Sequence, residues 1–410
     1  MRPGNSKKNL SSNFAIQSTL HESHDSHHDR FDAVIVGAGL AGLQCSLELL
    51  SRGWRVLLVD RKESPDQFVH TTGIFVRRTL EDFDLPPDLL GPVVRHVTLY
   101  SPARRALRLE SPHEEFRVGS MGPIYQRMLK AGLGMGLEWL PSTHFVRSEA
   151  TDSGSIVHLE TNRRPLRART RFLIGADGVN SKVAADLGLS RNSSWIVGAE
   201  RIYTGVPLEG PPRFDCFLDP RLAPGYIAWL IHDGREVHLG VGGYSSKFRP
   251  ADALKAFSDS VTGLLDFSNA RLEETRGGRI PVGGVLRQIA CPRGLLIGDA
   301  AGAVSPLTAG GLDGAMRLSR FAAQTLEDVA SGTGRSIEMV YSGEAFRARF
   351  LSRLWMRRAI ALTSSPILIE LGCAVARTPV LRPVVWQLFF GRGSFPDTPA
   401  PRHSWTAQRT

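Results

Sequence analysis

The sequence predicts an α/β fold: a Rossmann-like parallel sheet, interrupted by a mostly antiparallel sheet and followed by a helical tail. Three observations carry this reading. Residues 32–42, Asp-Ala-Val-Ile-Val-Gly-Ala-Gly-Leu-Ala-Gly, run from a β-branched apolar stretch straight into a G-x-G-x-x-G spacing. Two more apolar runs, 172–175 and 294–297, close on Gly/Asp turns, Asp177-Gly178 and Gly298-Asp299. Between those two runs, residues 195–245 alternate apolar and polar in the manner of an antiparallel sheet packed on one face.

Length and charge bound the rest. The 410 residues are 42% hydrophobic and 22% charged, enough for one large domain or two with ample core. A net charge of +10 favours anionic membrane surfaces, nucleic acid or anionic substrates without choosing among them. The arginines are scattered and no nucleic-acid motif occurs, so nucleic acid is not expected as a partner. Cys45, Cys216, Cys291 and Cys373 form no C-x-x-C, which indicates neither zinc nor a disulfide framework and points to a reducing cytoplasm.

Taken in order, residues 1–30 are polar and lack the apolar centre of a signal peptide. They read as a disordered tail. His21, His24, His27 and His28 stand there among acids, but the composition favours solvated chain over a metal site. In the first βαβ unit the glycines do different things. Gly37 makes the tight turn, Gly39 lets a pyrophosphate approach, and Gly42 lets the helix lie close to the strand. Leu43, Leu47 and Leu50 mark one face of that helix, and Gly53 stops it. A second strand over 54–59 ends in Asp60, whose carboxylate can accept hydrogen bonds from both ribose hydroxyls of an adenosine. A dinucleotide is expected.

Residues 61–68 form a polar connection, and 70–74 begin a helix or an active-site loop. Paired strands follow over 93–100 and 106–110, then a helix over 123–131, a short strand over 145–148, and a hairpin of 155–160 with 166–170. Helices are predicted over 181–187, 251–265 and 312–329. The chain therefore divides into a discontinuous nucleotide domain (31–92, 115–190 and 278–335), a substrate sheet (93–114 and 191–277) and a tail (336–410).

Three buried strands with ligand-type tips gather at one sheet edge in open α/β proteins. This order resembles the glutathione-reductase-like flavoprotein fold shared by p-hydroxybenzoate-hydroxylase-type monooxygenases and geranylgeranyl reductases, over about residues 31–330. The resemblance implies FAD. It places Asp299 on the ribityl chain, Asp177 and Gly178 near the pyrophosphate, and the loop from Pro306 through Gly310, Gly311 and Leu312 beside the isoalloxazine ring. It also draws Ala38, Ala41, Arg61, Thr72, Gly73, Val146 and Gly298 toward the cofactor. Ile280-Pro281-Val282-Gly283-Gly284, Ser305 to Gly311, and Pro224-Gly225-Tyr226-Ile227-Ala228-Trp229 are similar to the geranylgeranyl reductase branch, where the Tyr and Trp shape an apolar substrate cavity. Tyr226 and Trp229 lie three apart, so a regular strand presents them to one side only if it bulges.

The departures are specific. Leu230-Ile231 replaces the family's Phe-Pro, and Thr72-Gly73 stands where several reductases carry Cys-Gly, which removes a candidate thiol acid. The family's cofactor-binding Arg falls near Gly122, so its role is vacant or passes to Arg127. The Trp-x-Trp-x-Ile-Pro string of flavin halogenases is absent. Only one dinucleotide fingerprint occurs, so NAD(P)H would visit transiently or another reductant would supply electrons.

In the tail, Arg347, Arg349, Arg353, Arg357 and Arg358 interleave with Phe350, Leu351, Leu354 and Trp355. Such a basic amphipathic stretch suits a cap over a cavity or a peripheral contact with the inner membrane surface. Ser364-Ser365-Pro366 and Glu370 interrupt the apolar run 359–376, which argues against a membrane span. The leading expectation is reduction of carbon–carbon double bonds in a lipophilic isoprenoid-type molecule, with His232, His70 or Tyr226 as proton donor. The alternatives are a monooxygenase using NAD(P)H and O2, and a non-catalytic flavin-binding membrane or assembly protein.

Overall fold

The computed structural model describes residues 30–391 apart from 208, 247, 333 and 334. The four N-terminal histidines and the end of the tail, positions 392–410, lie outside the described residues. Arg30–Val36 sits between two parallel partners, Val56–Val59 on one side and Arg164–Gly175 on the other. Gly294–Leu296 extends the sheet beyond Arg164–Gly175, and Glu138–Leu140 beyond Val56–Val59, both in parallel. Val34, Ile35, Leu58, Leu173 and Ile174 are fully buried, as apolar runs covered on both faces must be. Every residue of the helix Leu40–Leu50 is buried, because Met121–Gly134 and Leu312–Ala330 pack against it.

The expected hairpin strand 166–170 and the buried strand after it are one strand of 12 residues. No Gly, Pro or Asn interrupts Thr170-Arg171-Phe172, so the ladder runs on. Its first part pairs antiparallel with Gly154–Thr161 and its last part parallel with Arg30–Val36.

A second sheet has seven strands in the order Arg271–Pro281, Trp195–Thr204, Val237–Gly243, Ala228–His232, Arg213–Phe217, His96–Tyr100 and Ala106–Glu110. Only the contact of Arg213–Phe217 with His96–Tyr100 is parallel. The expected strand over 93–100 is split. Leu90–Val94 instead joins Ile74–Val76 and Phe116–Gly119 in a three-stranded sheet, with a register shift around Pro92, which has no N–H for the ladder. On one face of the large sheet Leu230, Leu239 and Phe217 pack with Leu254 and Phe257 of the helix Pro250–Ser260. The opposite face carries a cross-strand row: Arg276 opposes Glu200, Glu200 opposes Gly240, and Gly240 opposes Trp229. That row turns toward the nucleotide sheet.

The tail adds helices at Leu351–Leu362, Pro366–Ala376 and Arg382–Phe390. None of the residues of Pro366–Ala376 is buried. Among the described residues no helix is long and apolar enough to cross a membrane.

Candidate cofactor and substrate site

The three glycines of the first turn differ in what surrounds them. Gly37 has φ +110°, and a Cβ there would lie 2.3 Å from the Ala176 carbonyl oxygen, so only glycine makes this turn. A Cβ on Gly42 would lie 1.9 Å from the Gly37 carbonyl oxygen, which is how closely helix and strand approach. Gly39 has nothing within 4 Å of its Cβ direction: it opens on a cavity.

Polar groups tie the strand tips together. Asp60 accepts hydrogen bonds from the Ala38 N–H at 2.6 Å and the Lys62 N–H at 2.9 Å, linking the second strand to the glycine turn. Asn192 donates to the carbonyls of Val179 at 3.2 Å and Asp299 at 2.8 Å, linking the other two tips. Asp177 Oδ2 accepts from the N–H groups of Lys182 at 2.7 Å and Val183 at 3.2 Å, while its Oδ1 is buried without a partner and burial raises its pKa. Asp299 lines the cavity, and its enclosed setting pushes its carboxyl up to about 6.

The cavity measures about 1990 Å³ and runs from the Gly37 turn past the second sheet to the tail helices. Ordinary small-molecule sites span roughly 300–1,000 Å³, so this one has room for a dinucleotide and a second molecule. Across its middle, Glu200 accepts hydrogen bonds from Thr72 Oγ1 at 2.8 Å and Trp229 Nε1 at 3.0 Å, and pairs with Arg276 Nε at 3.0 Å. Gly240 makes this arrangement fit, since a Cβ there would lie 2.3 Å from the indole of Trp229. The strand begins at Ala228, so Tyr226 precedes it. Both rings therefore reach the cavity without a bulge, 6.4 Å apart at 71°. Tyr226 donates its hydroxyl to the Thr308 carbonyl at 2.6 Å, anchoring the loop before Leu312–Ala330.

The wall includes Gly37, Gly39, Ala41, Asp60 and Arg61 at one end, and Thr72, Gly73, Asp177, Gly178, Gly298 and Asp299 further along. Gly310, Gly311, Leu312, His70, Tyr226 and Trp229 complete it. Ala38, Gly42 and Pro306 stand behind it. Three expected residues are elsewhere. Arg127 is partly exposed and holds Asp88 with two bonds of 2.7 Å, because the helix turns it away from the cavity. Val146 is 52% exposed, since strand alternation directs Phe145 and not Val146 inward. His232 is buried away from the cavity, and burial with nearby Arg213 lowers its pKa to about 4, so it is the neutral imidazole and not the imidazolium acid at neutral pH. Glu200 and Arg276 escaped the sequence reading. An acid in the inward phase 196, 198, 200, 202 was the available signal.

The FAD binding domain family matches residues 30–85. Digeranylgeranylglycerophospholipid reductase 1 of Methanopyrus kandleri is 30% identical over 311 residues, 72% of this chain and 80% of the relative. The chain belongs to the geranylgeranyl reductase family. Geranylgeranyl diphosphate reductase of Rhodobacter capsulatus is 29% identical over 325 residues, 77% of this chain and 80% of its own length. In fold, the family member described here is similar to a geranylgeranyl bacteriochlorophyll reductase-like protein of Thermoplasma acidophilum, with TM-score 0.74 and 18% identity, covering 83% of this chain and 90% of that one. It is also similar to p-nitrophenol 4-monooxygenase of Pseudomonas putida, with TM-score 0.68 and 16% identity over 89% of this chain and all (100%) of the other. This family member is an FAD-dependent oxidoreductase. Its residues fit the cofactor: Gly39 and Gly178 leave open space, and Asp299 meets the cavity with no hydrogen bond to its carboxylate among the described residues.

Proposed function

We propose that this oxidoreductase reduces carbon–carbon double bonds in a lipophilic isoprenoid-type molecule. The observation that carries the reading is the continuity of one cavity from the glycine turn to the apolar inner faces of the tail helices, where Ile360, Leu368, Leu388 and Phe389 line it. FAD, once reduced by NAD(P)H or another reductant, supplies a hydride. The chain's own residues do the rest. Gly39 and Asp60 would hold the adenosine diphosphate half, and Asp299 would accept a hydroxyl of the ribityl chain. Gly310 and Gly311 open the wall where the N–H groups of Leu312–Ala330 begin, a place that favours negative charge. Trp229 and Tyr226 shape the apolar wall, and residues of the tail helices complete it.

Of the residues able to hold a proton, Tyr226 stands out. Burial raises its pKa, so its hydroxyl stays protonated at neutral pH. His70 is held neutral by burial and by Lys62 and Arg61. Peripheral membrane contact is supported by the outer side of the tail, where Leu362 is 86% exposed and Ile367 and Val380 each 80%. Flotation with anionic vesicles tests that contact: Leu362→Asp with Ile367→Asp should abolish it.

The reaction is tested by reducing the purified flavoprotein without oxygen and mixing it with an isoprenoid lipid extract. A product heavier by two hydrogens is expected. A product that forms only with oxygen and gains an oxygen atom would replace the reading with monooxygenation. Flavin that no donor reduces would mark a non-catalytic protein.

A further inference from the structure

Three arginines of the described chain are buried: Arg317, Arg320 and Arg357. Two have carboxylate partners. Arg317 meets Asp82 and Asp313, each at 2.7 Å, and Arg320 meets Glu48 at 2.9 Å. Arg357 has none. It is 3% exposed, and Nε, Nη1 and Nη2 all lack hydrogen-bond partners. Its guanidinium lies over two aromatic rings, 5.2 Å from Tyr226 and 5.1 Å from Tyr244. Ring faces attract a cation but leave its five N–H donors unused. A buried charge without a counter-charge is costly, so the guanidinium calls for an anion that the described residues do not supply.

The placement says where. Arg357 lines the large cavity, and so does Arg353, one turn earlier on Leu351–Leu362. Arg353 donates only to the Ser305 hydroxyl, at 3.3 Å, and forms no ion pair among the described residues. Two guanidiniums at i and i+4 on one helix face repel each other unless an anion lies between them. Their planar forks suit an anion with several oxygens around one centre.

We propose that Arg357, with Arg353, is a phosphate-binding site within this cavity, and that its ligand is the phosphate or diphosphate head of the isoprenoid substrate. This rests on the reductase reading above, from which it takes the isoprenoid part. The site would select charged prenyl esters over free prenyl alcohols. A phosphate of the visiting nicotinamide dinucleotide carries the same chemistry, and the test separates the two sources.

The FAD-loaded enzyme is titrated with inorganic pyrophosphate by calorimetry, comparing wild type with Arg357→Met, Arg357→Lys and Arg353→Gln. Flavin content serves as the check on folding, and Arg357→Lys keeps the charge should the Met variant fail to fold. Loss of Arg357 should weaken pyrophosphate binding roughly 10- to 100-fold, the range for one charge-assisted contact to a buried anion, with Lys in between. In anaerobic flavin reoxidation, KM for geranylgeranyl diphosphate should rise about as much in the Met variant, while KM for geranylgeraniol stays unchanged. A rise confined to NADPH in flavin reduction would keep the phosphate site but overturn its assignment to the substrate head. Pyrophosphate binding equal in wild type and Met variant would overturn the site itself and leave Arg357 as a structural cation between two tyrosines. Should neither prenyl compound reoxidise the flavin, the reductase reading fails, and the titration still decides the phosphate site.

Discussion

Replacing Asp299 with Asn should strengthen the flavin-free protein while loosening its grip on FAD. The Asp299 carboxyl titrates at about 6 in the fold, against 3.8 for the ordinary group, because burial disfavours its charged form. Between those two pH values the unfolded chain has released this proton and the folded chain still holds it. The folded state binds more protons there, so stability falls as pH rises from about 4 to about 6. At about 1.4 kcal/mol per pH unit, the loss approaches 3 kcal/mol at neutral pH, an upper figure because the cavity admits water. Asn has the same shape and no charge, so the flavin-free variant should recover up to about 3 kcal/mol at pH 7 and almost nothing at pH 4. FAD binding should move the other way, weakening roughly 10- to 100-fold, since a neutral amide is a poorer acceptor for a ribityl hydroxyl. Urea unfolding of the flavin-free proteins at both pH values, with flavin-fluorescence titration, reads both effects. A variant no more stable at pH 7 than at pH 4 relative to wild type, or one with unchanged FAD affinity, would refute the reasoning.

Two glycines of one motif should fail differently. Gly39→Val meets open space and should fold with near-normal Tm but without bound flavin, whereas Gly42→Val collides with the Gly37 carbonyl and should lose the fold; absorbance at 450 nm and thermal unfolding tell them apart. Gly240→Ala puts a methyl group against the Trp229 indole, which must swing off its 3.0 Å bond to Glu200; a stability loss of about 1–3 kcal/mol in urea and a raised KM for the isoprenoid are expected. Arg276→Met leaves Glu200 buried beside Thr72 and Trp229 without its cation, and should cost about 3–5 kcal/mol by the same unfolding measurement.

The parts of the fold legible in the sequence were those set by local pattern. Apolar runs ending in Gly or Asp marked the buried strands of the nucleotide sheet, and period-two alternation marked the second sheet. What the sequence hid depends on partners far along the chain. Arg127 sits on a helix of the right region, but its direction depends on which face Leu40–Leu50 covers, and Asp88 claims it. His232 reads as a catalytic type, yet strand phase and depth place it off the cavity. Glu200 and Arg276 meet only because strands 76 residues apart fall in one register, and no local pattern encodes that. Arg357 reads in the sequence as one of a basic series; its burial without a partner follows from how the tail folds back over Tyr226 and Tyr244.

The tip bearing Asp299 follows a strand, Gly294–Leu296, that pairs with residues 173–175. During translation its partner strand emerges well before it, with five of the second sheet's seven strands made in between. On the cofactor placement proposed above, a nascent chain would not complete the flavin site until synthesis has passed Leu312. Long-range parallel pairing of this kind forms slowly and leaves sheet edges open meanwhile. Supply of riboflavin-derived cofactor at that late moment should then govern the yield of folded protein, and starvation for it should send newly made chains to proteolysis.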